Sequence, residues 1–249
     1  MGFRGSIRTH HFEVDALARA RAAIREDQFD SVVIDDFLEP SLAAGLVSFF
    51  EQDGIFKEHY ALRSPLSNSV TSIVDMVPTF ERSVSEEEFS IAPDAVRLAH
   101  ELLLQTATSE DRTSSGWLAH TQFMGLLGSN AFKLYLSGIT GAVDLIDVTY
   151  MARTMRYNDL CSAHSDAGDG RNLCMLLYIG EGWQPGFGGR FQNVAQGVVA
   201  RSTDPINNRL VLHKPAPNQI HQVEPITEAG RHWKRHAYSV WFGTFPEHA

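Results

Sequence analysis

The chain has 249 residues, 43% of them hydrophobic and 20% charged, with a formal net charge of −9; this is the balance of a globular enzyme able to bury a substantial core. No Lys/Arg block supplies the basic stripe that a phosphate backbone needs, and no apolar run approaches the roughly 18 residues of a membrane span, so neither nucleic acid nor membrane is expected as a partner. Cys161 and Cys174 are too few for a disulfide framework and fit reduced thiols in the cytoplasm.

The N-terminus "MGFRGSIRTHHF" lacks the apolar core of a signal peptide. Gly2 and Ser6 match the short myristoylation pattern, but no basic cluster follows to support it. Residues 12–28 are rich in Ala, Leu and Arg, with Leu17 and Ile24 seven apart, and predict a helix. "SVVIDDFL" predicts a strand that ends before Pro40. Ser41 is a possible cap for a helix whose Leu42, Leu46, Phe49 and Phe50 share a face. "PDAVRLAHELLLQ" (93–105), opening on proline, predicts a further helix, and "SNAFKLYLSGITG" a short one closed by Gly138 or Gly141.

After residue 142 the character changes. "DLIDVTYMARTMRY", "LCMLLYIG", "GRFQNV", "NRLVLHK", "QIHQVEPI" and "RHAYSVWFGTF" are short β-rich runs divided by Gly, Pro, Asn and Asp. Such spacing predicts an antiparallel sandwich or barrel rather than βαβ units. No repeat or linker divides the chain. The expected architecture is one domain over residues 1–249, mainly β with α: a mostly helical support region (1–141) against a jelly-roll core (142–246).

Within "AHSDAGDG", His164 and Asp166 stand at i and i+2, which on an extended segment aims both side chains to one face. A third metal ligand should come from a distant strand, and His213 and His221 both lie on β-like runs. Two histidines and one carboxylate leave adjacent positions open on an octahedral iron, whereas structural zinc more often closes its positions with Cys and His. Open positions imply a co-substrate, and a dicarboxylate would need an arginine at its far end. Arg235 opens "RHAYSVWF". With residues 225–231 as the connection, the strands of His221 and Arg235 are expected to be antiparallel neighbours, with the two residues opposite each other. Arg231 falls inside that connection and is the weaker choice, with Lys234 a further alternative.

The ordered set "HSD", "HQVEP" and "RHAYSVWF", with "LLYIGEGWQPGFGGRF" between, resembles the 2-oxoglutarate/Fe(II)-dependent dioxygenases, and especially their prolyl-4-hydroxylase-like branch. The resemblance covers roughly residues 145–245. It implies a double-stranded β-helix (jelly roll, cupin-like) and Fe(II) held by His164, Asp166 and His221. It also implies 2-oxoglutarate and O2 as co-substrates, with Arg235 on the distal carboxylate and Tyr178 beside it. Tyr157, seven residues before His164, matches a family tyrosine near the co-substrate, although "YNDL" departs from the usual "Y-x-x-G". By alternation Ser239 and Trp241 share the face of Arg235, and Met151 and Arg153 that of Tyr157. Ser239 is expected at the co-substrate, and Met151, Arg153 and Trp241 at the substrate.

The activity implied is oxidative decarboxylation of 2-oxoglutarate coupled to oxidation, by default hydroxylation, of an unactivated C–H bond. Desaturation and cyclisation use the same ligands, while a carboxylate at Asp166 argues against halogenation, which needs room for a halide there. The expected substrate is a small molecule such as an amino-acid derivative or natural-product intermediate. The alternatives are a prolyl or other peptidyl side chain, and a non-catalytic cupin-like binding domain. The oligomeric state is not legible.

Overall fold

A computed structural model describes residues 5–65, 78–103, 113–168 and 170–244 of the chain; Gly2 of the myristoylation pattern lies outside them. Among these residues twelve strands join by antiparallel pairing, ten of them in one continuous path. In chain order they are β1 (Ser31–Ile34), β2 (Phe56–Pro65), β3 (Pro78–Ser83), β4 (Arg97–Leu103), β5 (Asp147–Met155), β6 (Cys161–His164), β7 (Arg171–Tyr178), β8 (Phe191–Ala195), β9 (Val198–Thr203), β10 (Arg209–His213), β11 (Ile220–Val223) and β12 (Arg235–Gly243).

The path runs β1-β10-β7-β12-β5-β4-β6-β11-β8-β9. Strands consecutive in sequence are mostly separated along it: β5 and β7 flank β12, while β6 and β8 flank β11. This is the alternation of a jelly roll, in which the sheet curls so that β10, β7, β12 and β5 face β6, β11 and β8 across a core.

The helices are α1 (Val14–Glu26), α2 (Pro40–Ser48), α3 (Glu86–Ile91), α4 (Ser115–Gly128) and α5 (Asn130–Thr140). None is long and apolar enough to cross a membrane. Gly141 closes α5 at φ 68°, the left-handed cap that glycine adopts without a Cβ penalty. Pro40 occupies the first turn of α2, where its missing N–H costs nothing, so Ser41 lies inside that helix and caps nothing. The π-helical turn Phe49–Asp53 carries Phe49 and Phe50 onward into the core.

β7 and β12 explain how the layers assemble. Leu173, Met175 and Leu177 of β7, with Tyr238, Val240 and Phe242 of β12, pack with Leu126, Phe132, Leu136 and Ile139 of α4 and α5. The alternate residues Cys174, Leu176, Arg235, Ser239 and Trp241 face the interior of the roll. Both faces are covered, so β7 reads as a nearly unbroken apolar run rather than an alternating one. Each large apolar side chain buried here contributes about 1.5–3 kcal/mol.

One expectation is corrected. Residues 93–105 do not form a helix: a short 3-10 turn, Asp94–Val96, leads into β4, while Leu104 and Gln105 lie outside the described residues. β4 pairs with β2 on one edge and with β5 and β6 on the other, and tertiary pairing overrides local helix propensity. Residues 1–141 carry α1 to α5 and also β1 to β4, which extend the sheet from that half.

Candidate metal centre

β6 and β11 bring two histidines together by register: His164 pairs directly with His221, and their ring centroids are 4.3 Å apart. Asp166 follows two residues past His164, just beyond the end of β6. Its carboxylate oxygens lie 3.9 Å from His164 Nε2 and 3.4 Å from His221 Nε2. One donor atom from each of the three residues lies within 4.8 Å of those of the others.

The far ring nitrogens fix how the imidazoles are presented. His164 Nδ1 donates to the Ser162 carbonyl at 2.9 Å, and His221 Nδ1 to the Gln219 carbonyl at 3.4 Å. Carbonyl oxygens only accept, so both Nδ1 atoms carry protons and both Nε2 atoms face Asp166, which is how metal-binding imidazoles are commonly oriented. Burial, then the Arg63 charge, drives His164 well below the ordinary histidine range, so it is a neutral donor. Burial alone would raise the Asp166 carboxyl, but its hydrogen bond and attraction to His221, with the other histidines nearby, hold it well below its usual range.

These residues line a cavity of about 30 Å³ that Arg235, Ser239, Trp241, Arg153, Met155 and Leu176 also wall. Arg235 is 2% exposed. Its Nε donates to the Gly189 carbonyl at 2.8 Å and its guanidinium carbon lies 4.9 Å from the Tyr178 ring centroid. One guanidinium nitrogen of Arg235, and the Tyr178 hydroxyl, are buried without a hydrogen-bond partner among the described residues. A buried cation beside a buried unsatisfied hydroxyl is costly unless a ligand completes it. A dicarboxylate with one end here and the other at a metal on His164, Asp166 and His221 fits both the orphaned donors and the donor set.

The "GFGGRF" stretch holds Arg235 in place. Gly188 and Gly189 take φ values of 76° and 73°, a conformation glycine adopts freely. The Trp183 indole N–H donates to the Gly188 carbonyl at 3.0 Å, and a Cβ at Gly188 would collide with the Pro225 carbonyl oxygen.

Most of the sequence-predicted residues meet here, with three corrections. β11 and β12 are not neighbours: β11 pairs with β6 and β8, and β12 with β5 and β7. The connection between them crosses from one wall of the roll to the other, so Arg235 lies opposite Met155 in register and reaches the cavity from the wall facing His221. Tyr157 is 41% exposed and lies outside the cavity wall, because the chain leaves β5 after Met155 and turns outward. Met151 is not part of the wall either; it lies behind Arg153, whose guanidinium contacts its sulfur at 3.2 Å. Arg231 pairs with Glu228 and Lys234 lies 4.0 Å from Glu51, both outside the cavity.

Sequence reasoning missed Arg171, 3.4 Å from Asp166, and Cys174, which shares the cavity-facing side of β7 with Leu176 and Tyr178. Simple alternation back from Tyr178 would have found Cys174. The choice between His213 and His221 was left open by strand pattern for a physical reason: His213 Nε2 also reaches Asp166, at 3.8 Å.

Comparison with known proteins fits this geometry. Residues 151–243 match the profile of the 2OG-Fe(II) oxygenase superfamily. No curated protein matches the sequence. Among solved structures the fold is similar to a Pseudomonas putida prolyl-4-hydroxylase (TM-score 0.54, 16% identity, 92% of this chain and 100% of that one). It is similar to a Trichoplax adhaerens prolyl hydroxylase in complex with a peptide fragment of the hypoxia inducible factor oxygen degradation domain (TM-score 0.56, 15%, 93% of each). A Burkholderia pseudomallei oxidoreductase of the 2OG-Fe(II) oxygenase family is a third (TM-score 0.54, 11%, 91% of this chain and 90% of that one).

Proposed function

We propose, from the match of residues 151–243 to the profile of the 2OG-Fe(II) oxygenase superfamily, a hydroxylase of a small molecule bearing a carboxylate, such as an amino-acid derivative. The superfamily implies Fe(II), 2-oxoglutarate and O2, which when bound supply oxidative decarboxylation of the co-substrate coupled to oxidation of a C–H bond. The observation that carries the reading is the meeting, in one buried cavity, of the His164/Asp166/His221 donor set with Arg235, which stacks on Tyr178 behind the wall; Arg235 and Tyr178 each keep a polar atom without a partner among the described residues.

The residues divide the work. His164, Asp166 and His221 hold the metal and leave positions open for co-substrates. Arg235 and Tyr178 fix the distal carboxylate, and Ser239, on the same wall, borders it. The apolar neighbours Leu176, Phe191 and Val223 exclude water, which strengthens the polar contacts inside. On the substrate side, the guanidinium carbons of Arg153 and Arg171 lie 5.6 and 5.0 Å from the Trp241 ring centroid. That cationic and aromatic wall supports a compact anionic substrate. Two buried thiols, unpaired in this structure, support a cytoplasmic setting.

A peptidyl substrate is the second reading, favoured by a groove of about 350 Å³ that shares Cys161 and Val223 with the cavity. Succinate formation with Fe(II), 2-oxoglutarate and O2, screened against amino-acid derivatives and against proline-containing peptides, tests both. Stimulation by carboxylate-bearing small molecules, with a KM that Arg153→Met raises more than it raises the KM for 2-oxoglutarate, is the expected result. Stimulation by peptides alone overturns the small-molecule reading, and no succinate under any condition overturns the enzyme.

A further inference from the structure

Asp166 belongs to two buried donor clusters. The second is Asp166 with Cys174 and His213, whose donor atoms also lie within 4.8 Å of one another. All three residues are buried, with 8%, 2% and 3% exposure. Cys174 and His213 are direct register partners across β7 and β10, so the sheet itself holds thiol and imidazole side by side. His213 Nε2 lies 3.8 Å from Asp166 Oδ2, the same oxygen that is 3.4 Å from His221 Nε2. Neither Cys174 nor His213 is used by the proposed oxygenase chemistry.

We propose that Asp166, Cys174 and His213 form a second metal position that takes a thiophilic divalent cation such as Zn(II), in competition with the position formed by His164, Asp166 and His221. A tetrahedral zinc ion with bonds of about 2.0–2.3 Å keeps its donors about 3.3–3.8 Å apart, so small side-chain rotations close the cluster on an ion. Thiolate, imidazole and carboxylate form a softer set than two imidazoles and a carboxylate, and a thiolate ligand favours thiophilic ions such as zinc. On binding, the Cys174 S–H bond breaks, its proton leaves to solvent, and the sulfur–metal bond takes its place.

The shared carboxylate makes the positions exclusive. A cation on Cys174 and His213 draws Asp166 away from His164 and His221, so zinc would inhibit by removing a ligand from the first position rather than by replacing its ion there. The second position depends only on the geometry of its own cluster, while the competition rests also on the oxygenase reading of the first.

Co(II) is the probe, because a cobalt–thiolate bond gives a strong near-ultraviolet band that nitrogen and oxygen ligands do not. The full chain carrying His164→Ala and His221→Ala, titrated anaerobically, should show this band. Zn(II) should abolish it, and adding Cys174→Ala should remove it and weaken Zn(II) binding by at least about 10-fold. Circular dichroism on each variant checks folding. If the double variant does not fold, the band is sought in the wild-type chain with Cys174→Ala as the blank. A folded protein without the band overturns the proposal, and so does a band that survives Cys174→Ala but is lost with Cys161→Ala. The iron position is read separately, from Fe(II) and 2-oxoglutarate absorption in the wild-type chain, so either assignment can fail alone.

Discussion

Arg235 lies over Tyr178, its guanidinium carbon 4.9 Å from the ring centroid, and each residue keeps one buried polar atom without a hydrogen-bond partner among the described residues. The pair is built to receive an anion. Arg235→Ala is predicted to raise the KM for 2-oxoglutarate by about 30-fold or more, the effect of losing roughly 2–4 kcal/mol of buried charge-assisted pairing. Tyr178→Phe removes a single hydroxyl and should cost about 2–10-fold. Steady-state kinetics at saturating iron checks both; an unchanged KM in Arg235→Ala would move the carboxylate site elsewhere.

How the chain delivers Arg235 to that position was only partly legible in the sequence. His164 and Asp166 were readable because side chains two apart on extended chain share a face. Arg235 was found, but its relation to His221 was not: proximity in sequence suggested a hairpin, whereas the roll sends consecutive strands to opposite walls. Residues 97–103 were misread because Leu98 to Glu101 are all buried, and an unbroken buried run has no period that separates strand from helix. Tyr157 failed for a simpler reason: counting back from His164 ignores the turn after Met155.

Gly188 tests the scaffold rather than the chemistry. A side chain there must adopt a left-handed backbone at φ 76° and would also meet the Pro225 carbonyl. Gly188→Ala is predicted to destabilise the fold by at least about 2 kcal/mol, lowering Tm by roughly 5 °C or more. Thermal unfolding followed by circular dichroism would expose an error as an unchanged Tm.

Asp159 gives a pH dependence. Burial raises its carboxyl from 3.8 to about 6, against the hydrogen bond that it accepts from the Arg156 backbone N–H. The folded state therefore holds the proton more tightly than the unfolded one. Its contribution is most favourable below pH about 4, falls as pH rises toward about 6, and stays lower above that by on the order of 2–3 kcal/mol. Asp159→Asn, which can still accept the backbone hydrogen bond, should be more stable than wild type at pH 7 and no more stable at pH 4. Denaturant unfolding at the two pH values decides this, and equal gains at both would refute the assignment.

The central claim is that His164, Asp166 and His221 hold Fe(II) with 2-oxoglutarate alongside. Anaerobic addition of both to the full chain should produce a weak visible charge-transfer band in the wild-type protein. The band should persist in His213→Ala and be absent from His164→Ala and His221→Ala, with folding confirmed in each. A band of wild-type intensity in His221→Ala, together with its loss in His213→Ala, would contradict the claim and move the third ligand to His213.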